Sequence, residues 1–414
     1  MRITAASLAL GLVLALPVPA AAAGLPDGTF ADATDPAVTS LAKDYGLTIA
    51  EARRRIGWQE PATRMAEQLA KSTGQFGGVW LDPADGGRVK IGWVGTDLAT
   101  ARSIVEGYGL GTATDFVPVR YSAAQLEQDA AWLGGALRSA NAAGVQLSSA
   151  TQPDRNRTVL RVPAIGSLSA AQQDVVTAAR ARLGSRLVVE SSMDTGIDYQ
   201  ACLWLAGDFD CDAPLRGGSR LYINTSQPQC TTAFNARSNS DNKWYMMTAG
   251  HCGAIGTVFT AYQPGTGNFH TVGAVHNRSA GANDYSIVTI NNVAGWNPRN
   301  WVYVHASGDT VLDPDYTITN TATSPVGTRV CISGSTSGTD CGDVVEINWN
   351  GSGGFARAQY CSDGGDSGGA VYSGHNARGI HIGVVAGHDG DCLNALFQGI
   401  TEAANNLNVH VYTG

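Results

Sequence analysis

The chain has 414 residues, of which 43% are hydrophobic and 15% are charged, and its formal net charge is -8. This is enough apolar material for more than one compact core, so we expect two domains. The longest run of basic residues is three arginines at 53–55 and the net charge is negative, which argues against a nucleic-acid or anionic-membrane partner. A soluble monomer that acts on small or extended substrates is therefore expected.

The first 23 residues are typical of a secretory signal peptide. Arg2 gives a positive start, an apolar core runs from Leu8 to Leu16, and three alanines at 21–23 suit cleavage. This stretch is too short to span a membrane, and no later segment reaches about 18 apolar residues. We expect a secreted, extracellular protein; the alternative is an alanine-rich first helix that stays attached.

Residues 24–200 mix helical and strand patterns and contain no cysteine and no histidine. Four helix starts are predicted, the second as a capping box, at Asp35-Pro36, Thr48–Glu51, Ser122–Gln125 and Ser169–Gln172. Four strands are predicted at Gly78–Leu81, Val89–Val94, Thr158–Val162 and Leu187–Glu190. These patterns indicate an α+β domain.

Residues 201–414 have a different pattern, with many short runs rich in valine, isoleucine, threonine and tyrosine, separated by turn residues. Such runs indicate an all-β sandwich or barrel. One closing helix is predicted at Thr401–Asn408. The predicted strands are Arg220–Asn224, Trp244–Thr248, Thr257–Tyr262, Ser286–Ile290, Trp301–His305, Arg329–Ile332, Val344–Trp349, Ala370–Tyr372 and Ile380–Val385.

All eight cysteines lie in this second half, and their even number is typical of disulfides formed in an oxidising compartment. Their spacing alone does not fix the pairing. The chain has no CxxC pair and no repeated His/Cys cluster at ligand spacing, so we expect no metal and no other cofactor.

Three stretches of the second half contain the residues that could do chemistry. "MMTAGHCG" contains His251, "GANDYSIV" contains Asp284, and "GDSGGA" contains Ser367. A serine hydroxyl becomes a nucleophile when an imidazole takes its proton and a carboxylate orients that imidazole. Taken singly, each stretch also fits a structural role: a core histidine, a strand cap and a glycine turn.

The pattern around Ser367 also fits the nucleophile elbow of an α/β-hydrolase. That fold requires a helix after the serine, followed by an acid and a histidine. Here a predicted strand follows Ser367, and His251 and Asp284 precede it. The chain order therefore favours a chymotrypsin-like double β-barrel.

Residues 213–414 resemble the chymotrypsin-like serine proteases of the secreted bacterial streptogrisin and α-lytic protease group. The resemblance depends on "TAGHC", "NDYSIV", "GDSGGAVYS", "CTTAF", "SGSTSG" and the ending "VHVYTG". It implies two six-stranded antiparallel β-barrels with a C-terminal helix. It further implies His251 as general base and acid, Asp284 as its orienter, Ser367 as nucleophile, and the amides of Gly365 and Ser367 as oxyanion donors.

The same resemblance implies a disulfide framework. Cys202 and Cys211 lie outside the shared pattern and would pair with each other. The other pairs are Cys230–Cys252, Cys331–Cys341 and Cys361–Cys392.

The first half resembles, more faintly, the propeptide of this group, which acts as a folding aid and inhibitor of its own protease and is removed by proteolysis. The expected division is a signal peptide at 1–23, an α+β propeptide at 24–200 and a protease domain at 201–414, with a processing boundary between 190 and 215. The alternative is an ordinary extra domain that stays attached.

Asp366 would be a buried charge beside the nucleophile and needs a partner. In this group an arginine just after the cysteine of the "SG" segment provides it, but this chain has Ile332 at that position. Arg329 is nearby in sequence, and the partner of Asp366 stays open.

By the family's layout, the substrate pocket has walls at 359–364 and 384–391, closed by the Cys361–Cys392 pair. No acid lies at its base, which argues against a lysine or arginine preference. The pocket residues are then Ser362, Ala386, Gly387 and His388.

Two preferences of this pocket remain open. His388, with Ser362 opposite, could bind an acidic side chain. We favour the alternative, in which His388 faces solvent and the pocket takes medium-sized apolar residues, because Asp389 and Asp391 would repel a carboxylate.

The leading hypothesis is a secreted serine endopeptidase, made as a zymogen, that hydrolyses polypeptides through an acyl-enzyme. Two alternatives are a non-catalytic β-barrel binding module on the same scaffold and an esterase.

Overall fold

The computed structural model describes residues 34–142, 147–192, 197–198, 213–223, 227–305, 311–351, 354–386 and 392–414. The predicted signal peptide, Cys202, Cys211, Gly387 and His388 lie outside the described residues. We call 34–192 the N-terminal region and 213–414 the C-terminal region.

The N-terminal region contains both helices and strands, which confirms the α+β prediction. Its helices are α1 (Pro36–Tyr45), α2 (Ile49–Ser72), α3 (Ala99–Gly107), α4 (Ala123–Ala142) and α5 (Ala170–Leu183). Its strands are β1 (Phe76–Asp82), β2 (Arg88–Trp93), β3 (Thr114–Pro118), β4 (Ser148–Gln152), β5 (Arg157–Val162) and β6 (Leu187–Ser191). The four predicted helix starts each open a helix, whereas α3, β3 and β4 were not predicted.

The helix caps follow from short polar side chains that accept the first free amide hydrogens. The Asp35 carboxylate accepts a hydrogen bond from Ala37 N at 2.8 Å, and Ser169 forms a complete capping box with Gln172. Only one of the two hydrogen bonds of the capping box predicted at Thr48 is present. Thr48 caps α2, but the Glu51 carboxylate binds Arg54 and Arg55 instead of the cap amide.

The C-terminal region consists mostly of short strands. Its described residues include two α-helices, α6 (Val293–Trp296) and α7 (Ile400–Leu407), and the two-residue strand β7 (Ile197–Asp198) precedes the region. The first group of strands is β8 (Arg220–Ile223), β9 (Gln227–Thr231), β10 (Asn235–Ser238), β11 (Trp244–Thr248), β12 (Val258–Gln263), β13 (Asn268–Ser279), β14 (Tyr285–Thr289), β15 (Trp301–His305) and β16 (Val311–Thr317). The second group is β17 (Asn320–Thr321), β18 (Arg329–Gly334), β19 (Gly338–Ile347), β20 (Phe355–Ala358), β21 (Ala370–Ser373), β22 (Asn376–Val385), β23 (Ala395–Gly399) and β24 (Val409–Val411).

These strands form two barrels, as predicted. The second barrel is closed: its six strands run in the order β18-β21-β22-β23-β20-β19, and β19 pairs back with β18. The first is a curled half-barrel within a sheet of order β24-β10-β11-β14-β13-β12-β8-β9. Helix α7 follows the last strand of the closed barrel, which confirms the predicted closing helix.

The two regions share one sheet. Strands β4, β5 and β6 continue the closed barrel beyond β19, through a pairing of Thr151 with Ile347. Glu346, beside this pairing, is almost fully buried and binds Arg161 of the N-terminal region and Arg357 of the barrel. Burial raises the pKa of Glu346, but the two arginines outweigh this effect and the net shift is downward.

Helix α1 forms a second contact between the regions. Its apolar side packs into the same core cluster as the barrel strands. Beside it, Arg329 of β18 binds Asp44 of α1 and Asp343 of β19, and the hydroxyl of Tyr45 donates to Asp343 Oδ2 at 2.6 Å. The carboxylate of Asp35 accepts a hydrogen bond from the Tyr316 hydroxyl.

Among the described residues, no helix combines the length and the apolar character that crossing a bilayer requires.

Candidate active site

His251 and Asp284 lie in direct contact, 33 positions apart in the chain. His251 is in a short turn after β11, and Asp284 immediately precedes β14, the strand that pairs with β11. Asp284 is fully buried, and its Oδ2 lies 2.6 Å from His251 Nδ1. Its Oδ1 accepts a hydrogen bond from the His251 backbone amide at 2.8 Å. A carboxylate accepts hydrogen bonds, so Nδ1 bears the hydrogen and Nε2 is left as the base.

Gly250 allows this approach. A Cβ atom at this position would lie 1.7 Å from the carbonyl oxygen of Ser279 and 2.9 Å from Asp284 Oδ1. Any larger residue would separate the histidine from its carboxylate.

The Cys230–Cys252 disulfide lies between the histidine turn and the serine loop. Cys252 adjoins His251, and its Sγ lies 3.7 Å from the carbonyl oxygen of Ser367. Thr231, which adjoins Cys230, donates its amide hydrogen to that same oxygen at 2.7 Å. The cross-link therefore joins the histidine turn to β9 within the first barrel, and the amide of Thr231 connects β9 to the serine loop of the second barrel.

The loop around Ser367 depends on glycines. Gly365 and Gly368 have φ values of 103° and 89°, in the region that favours glycine. A Cβ atom at Gly368 would lie 2.0 Å from Thr248 Oγ1. In the part of the chain that the structure describes, the amide hydrogens of Gly365 and Ser367 have no protein acceptor. Both donors are thus free to bind an incoming oxygen.

Ser367 is fully buried, and β21 follows it. Its hydroxyl donates to the carbonyl oxygen of Ile382 on β22 at 3.4 Å, a long hydrogen bond.

Asp366 obtains its partners from backbone amides. Its Oδ1 accepts from Thr336 at 2.8 Å and from Ser337 at 3.1 Å, and its Oδ2 accepts from Asp363 at 2.9 Å. Burial raises its pKa, and a side-chain hydrogen bond from Ser337, together with these backbone hydrogen bonds, opposes the shift. Arg329 pairs elsewhere, with Asp44 and Asp343. The "SGSTSG" segment thus provides with its backbone what the family's arginine provides with a side chain.

The described residues contain three disulfides, the pairs that the resemblance implied: Cys230–Cys252, Cys331–Cys341 and Cys361–Cys392. Cys230, His251 and Cys252 lie within ligand distance of one another. Both sulfurs belong to a disulfide, so they cannot act as thiolate ligands to a metal.

The predicted pocket is described in part. Ser362 is buried and Ala386 is half-buried at the end of β22, while Gly387 and His388 lie outside the described residues. The Cys361–Cys392 disulfide joins the two predicted walls, at 359–364 and 384–391.

His381 is a site residue that the sequence reasoning missed. It lies fully buried on β22, and its backbone bonds to Gly368 and Gly369 flank the serine loop, at 2.7 and 2.9 Å. Its Nδ1 lies 3.0 Å from the hydroxyl of Tyr360, on the first pocket wall, and its Nε2 has no hydrogen-bond partner among the described residues. Burial, and to a lesser extent His251, lowers the pKa of His381 to about 3.

A sequence signal for His381 existed. In "GIHIGVV" it is the one ionisable residue in an apolar run. Burial of a polar side chain on a strand covered on both faces costs free energy unless the side chain has a partner. This pattern marked His381 as a candidate site residue as clearly as His388.

No family model matches the chain. Streptogrisin-C of Streptomyces griseus is 28% identical over 382 residues, which cover 90% of this chain and 73% of that protein. Glutamyl endopeptidase 2 of Streptomyces griseus is 33% identical over 202 residues, which cover 47% of this chain and 98% of that protein. A solved structure of a glutamic acid-specific serine protease, described as using a histidine triad in substrate binding, is 31% identical, with a TM-score of 0.38; the match covers 48% of this chain and all of that one.

Streptogrisin-C matches over most of this chain, and this chain covers nearly the whole length of glutamyl endopeptidase 2. The chain belongs to the family of streptogrisins and bacterial glutamyl endopeptidases, which are chymotrypsin-like serine endopeptidases.

Proposed function

We propose that Ser367 is the nucleophile, His251 the general base and acid, and Asp284 the residue that orients the histidine. The observation that supports this most is the pair of hydrogen bonds, 2.6 and 2.8 Å long, between the buried Asp284 carboxylate and His251. These bonds hold the imidazole in the tautomer whose Nε2 can take a proton from a serine hydroxyl.

Peptide hydrolysis then proceeds in two steps. Ser367 Oγ attacks the substrate carbonyl carbon as His251 takes its proton, and the same histidine then protonates the leaving amine, which leaves an acyl-enzyme. In the second step His251 takes a proton from water, which attacks the acyl carbonyl carbon; the ester bond to Ser367 Oγ then breaks as His251 returns the proton to Oγ, and the acid product leaves. The amides of Gly365 and Ser367 stabilise the oxyanion in both steps, which is supported by their lack of acceptors in the described structure.

A fluorophosphonate probe tests these roles, because it reacts with an activated serine. We expect labelling of the parent protein at Ser367, no labelling of Ser367→Ala, and normal labelling of Ser240→Ala, which changes an exposed serine. A processed parent protein that takes no label would overturn the assignment. Comparison of peptide and long-chain ester substrates separates an endopeptidase from an esterase.

We further propose that the protein is secreted as a zymogen, with residues 24–200 as its propeptide. Strand β7 supports this proposal. Its residues Ile197 and Asp198 pair antiparallel with Val385 and Val384, three and two positions beyond Ile382 on β22. An extended peptide substrate binds a protease edge by such strand addition. We infer that β7 occupies the substrate's place and inhibits the enzyme until it leaves.

The inactive Ser367→Ala precursor tests the zymogen proposal. If the protein processes itself, this variant stays intact, while the parent yields a fragment of the size of the C-terminal region. N-terminal sequencing of that fragment locates the cut, which we expect between 190 and 215. Processing of the Ser367→Ala variant at the parental rate in a protease-free preparation would contradict self-cleavage.

We propose, in addition, that the enzyme prefers an acidic side chain before the cut. A relative covered over 98% of its length bears the name glutamyl endopeptidase. The imidazole of His381 is buried beside the nucleophile loop, and its Nε2 has no hydrogen-bond partner among the described residues. An N–H group at this position could donate to a carboxylate oxygen of the substrate. The predicted processing segment, 190–215, has six acidic residues and no lysine or arginine: Glu190, Asp194, Asp198, Asp208, Asp210 and Asp212.

Peptides that differ at the residue before the cut test this preference. We expect kcat/KM for a glutamate peptide to exceed that for a leucine peptide, and we expect His381→Gln to reduce this ratio. Equal rates for both peptides in the parent protein would favour the apolar pocket instead.

A further inference from the structure

Tyr360 bonds to the imidazole that we propose as the recognition group. Its hydroxyl lies 3.0 Å from His381 Nδ1, and both residues are fully buried. Tyr360 comes one position before Cys361, whose disulfide closes the pocket, so it belongs to the pocket wall. The pair therefore joins the wall to the strand that flanks the nucleophile loop.

The hydroxyl of Tyr360 keeps its hydrogen. Burial raises its pKa well above the usual value of 10.0, and the charges of Asp366 and Asp340 raise it further. His381 Nδ1 is the hydroxyl's hydrogen-bond partner in the structure. A buried hydroxyl hydrogen that lacks an acceptor is costly, so the O–H bond of Tyr360 points at Nδ1.

This contact decides where the imidazole bears its own hydrogen. A neutral histidine has one N–H group, and a nitrogen that accepts from tyrosine cannot bear it. The hydrogen therefore lies on Nε2, the nitrogen without a partner. The opposite tautomer would leave two groups unsatisfied, the tyrosine hydrogen and the Nε2 lone pair, and is disfavoured.

We propose that Tyr360 is a positioning residue for substrate recognition: by donating to His381 Nδ1, it fixes the imidazole as an Nε2–H donor that binds a carboxylate oxygen of the substrate side chain. This inference rests on the proposed function and its acidic preference. Binding requires no charged histidine beforehand, because a neutral N–H group can donate to a carboxylate.

A purely structural role for Tyr360 and His381 would not explain the N–H group of His381 that has no acceptor among the described residues. A buried histidine placed only to satisfy Tyr360 would still leave an N–H group without an acceptor, at a cost that an apolar residue would avoid. Unsatisfied buried donors next to a nucleophile are what a substrate oxygen would satisfy.

The kinetic test compares Tyr360→Phe with Tyr372→Phe. Tyr372 is also fully buried in the closed barrel, on β21, so the control removes a hydroxyl in a similar environment. In Tyr360→Phe we expect kcat/KM for a glutamate peptide to fall about tenfold, mainly through KM, since one hydrogen bond of ordinary strength is lost. The ratio of the glutamate rate to the leucine rate should therefore fall in Tyr360→Phe and keep its parental value in Tyr372→Phe.

A spectroscopic test is independent of activity. Nitrogen-15 NMR of histidine-labelled Ser367→Ala precursor reports which imidazole nitrogen bears the hydrogen. We expect His381 to be protonated at Nε2, and expect a mixture of tautomers when Tyr360→Phe is added. The Tyr372→Phe change should leave the His381 signals unaltered.

The outcomes are separable. A parent with Nδ1 protonated, or a Tyr360→Phe variant with parental selectivity, overturns the role of Tyr360. If the parent cleaves peptides but does not prefer glutamate, the proposed role of Tyr360 is overturned, whereas the proposed endopeptidase activity stands. Failure of the proposed triad shows in a different experiment, as the absence of fluorophosphonate labelling of the parent.

Discussion

The N-terminal and C-terminal regions are stabilised by different means. The C-terminal region has a closed barrel and three disulfides among its described residues. The N-terminal region has no cysteine in its sequence, and it has two small apolar clusters of its own. Where the regions meet, buried charges lie beside an apolar helix face. When the two regions separate, such a mixed contact exposes less apolar surface to water than a purely hydrophobic contact would.

The comparison indicates that the two regions have different roles. Disulfides and a closed barrel preserve the C-terminal region, and its nonlocal strand pairings are slow to form. The N-terminal region presents a ready sheet edge, β4, beside β19 of the closed barrel. This difference is the one expected if the N-terminal region is the propeptide proposed above.

The first prediction concerns the C-terminal region alone. Asp284→Asn should lower kcat on the order of ten-thousand-fold, because the amide would favour the wrong histidine tautomer. Both regions should still fold. Peptide turnover by processed enzyme measures the effect, and Asp241→Asn, on the surface, is the control. A loss of less than tenfold would remove Asp284 from the triad.

The second prediction concerns the junction. Arg161→Met removes an ion pair with buried Glu346, which keeps Arg357 as a partner. We expect the two processed fragments to associate roughly ten- to a hundredfold more weakly. Their co-elution at decreasing concentration measures this change. In the control Arg157→Met, the lost ion pair, with Glu190, lies within the N-terminal region, so parental association is expected.

The third prediction is a pH dependence of the C-terminal region. Because the pKa of His381 is lowered to about 3 in the folded state, the unfolded state binds a proton that the folded state does not, between pH 3 and about 6.5. Stability should therefore fall as the pH decreases through this window, by up to about 1.4 kcal/mol per pH unit from this residue. Above this window the contribution is constant.

Denaturant unfolding at several pH values measures that slope. His381→Gln should flatten it relative to the parent, whereas His410→Gln, at an exposed position, should not. A slope unchanged by the His381 substitution would mean that its pKa is ordinary in the folded state.

The smallest expected effect concerns the N-terminal region. Ser169→Ala removes the capping box of α5 and should lower the free energy of unfolding of that region by about 1 kcal/mol. The processed C-terminal region should be unaffected. Thermal unfolding of the precursor and of the processed enzyme separates the two, and an equal shift in both would contradict the independence of the regions.

Local chemistry allowed much of this fold to be predicted. Asp35, Thr48 and Ser169 predicted helix starts because capping depends on residues a few positions apart. The two barrels, by contrast, were predicted from a resemblance and from many short strands. Strand β4 was missed because "SSATQ" has weak strand character, and it is ordered by pairing with β5 and β19.

The residues of the candidate site were likewise predictable only in part. Motifs identified His251 and Ser367, because their neighbours in sequence are part of the signal. His381 and Tyr360 are 21 positions apart and meet only in the folded barrel. The partners of Asp366 are backbone amides, which no sequence pattern identifies by residue type.

The amide partners of Asp366 have a consequence for activation. In this uncut chain the carboxylate already has three donors, all from backbone within the C-terminal region. The nucleophile loop therefore needs no new chain end, created by cleavage, to become ordered. If β7 inhibits the enzyme as proposed, activation would then require departure of that strand and no rearrangement of the nucleophile loop.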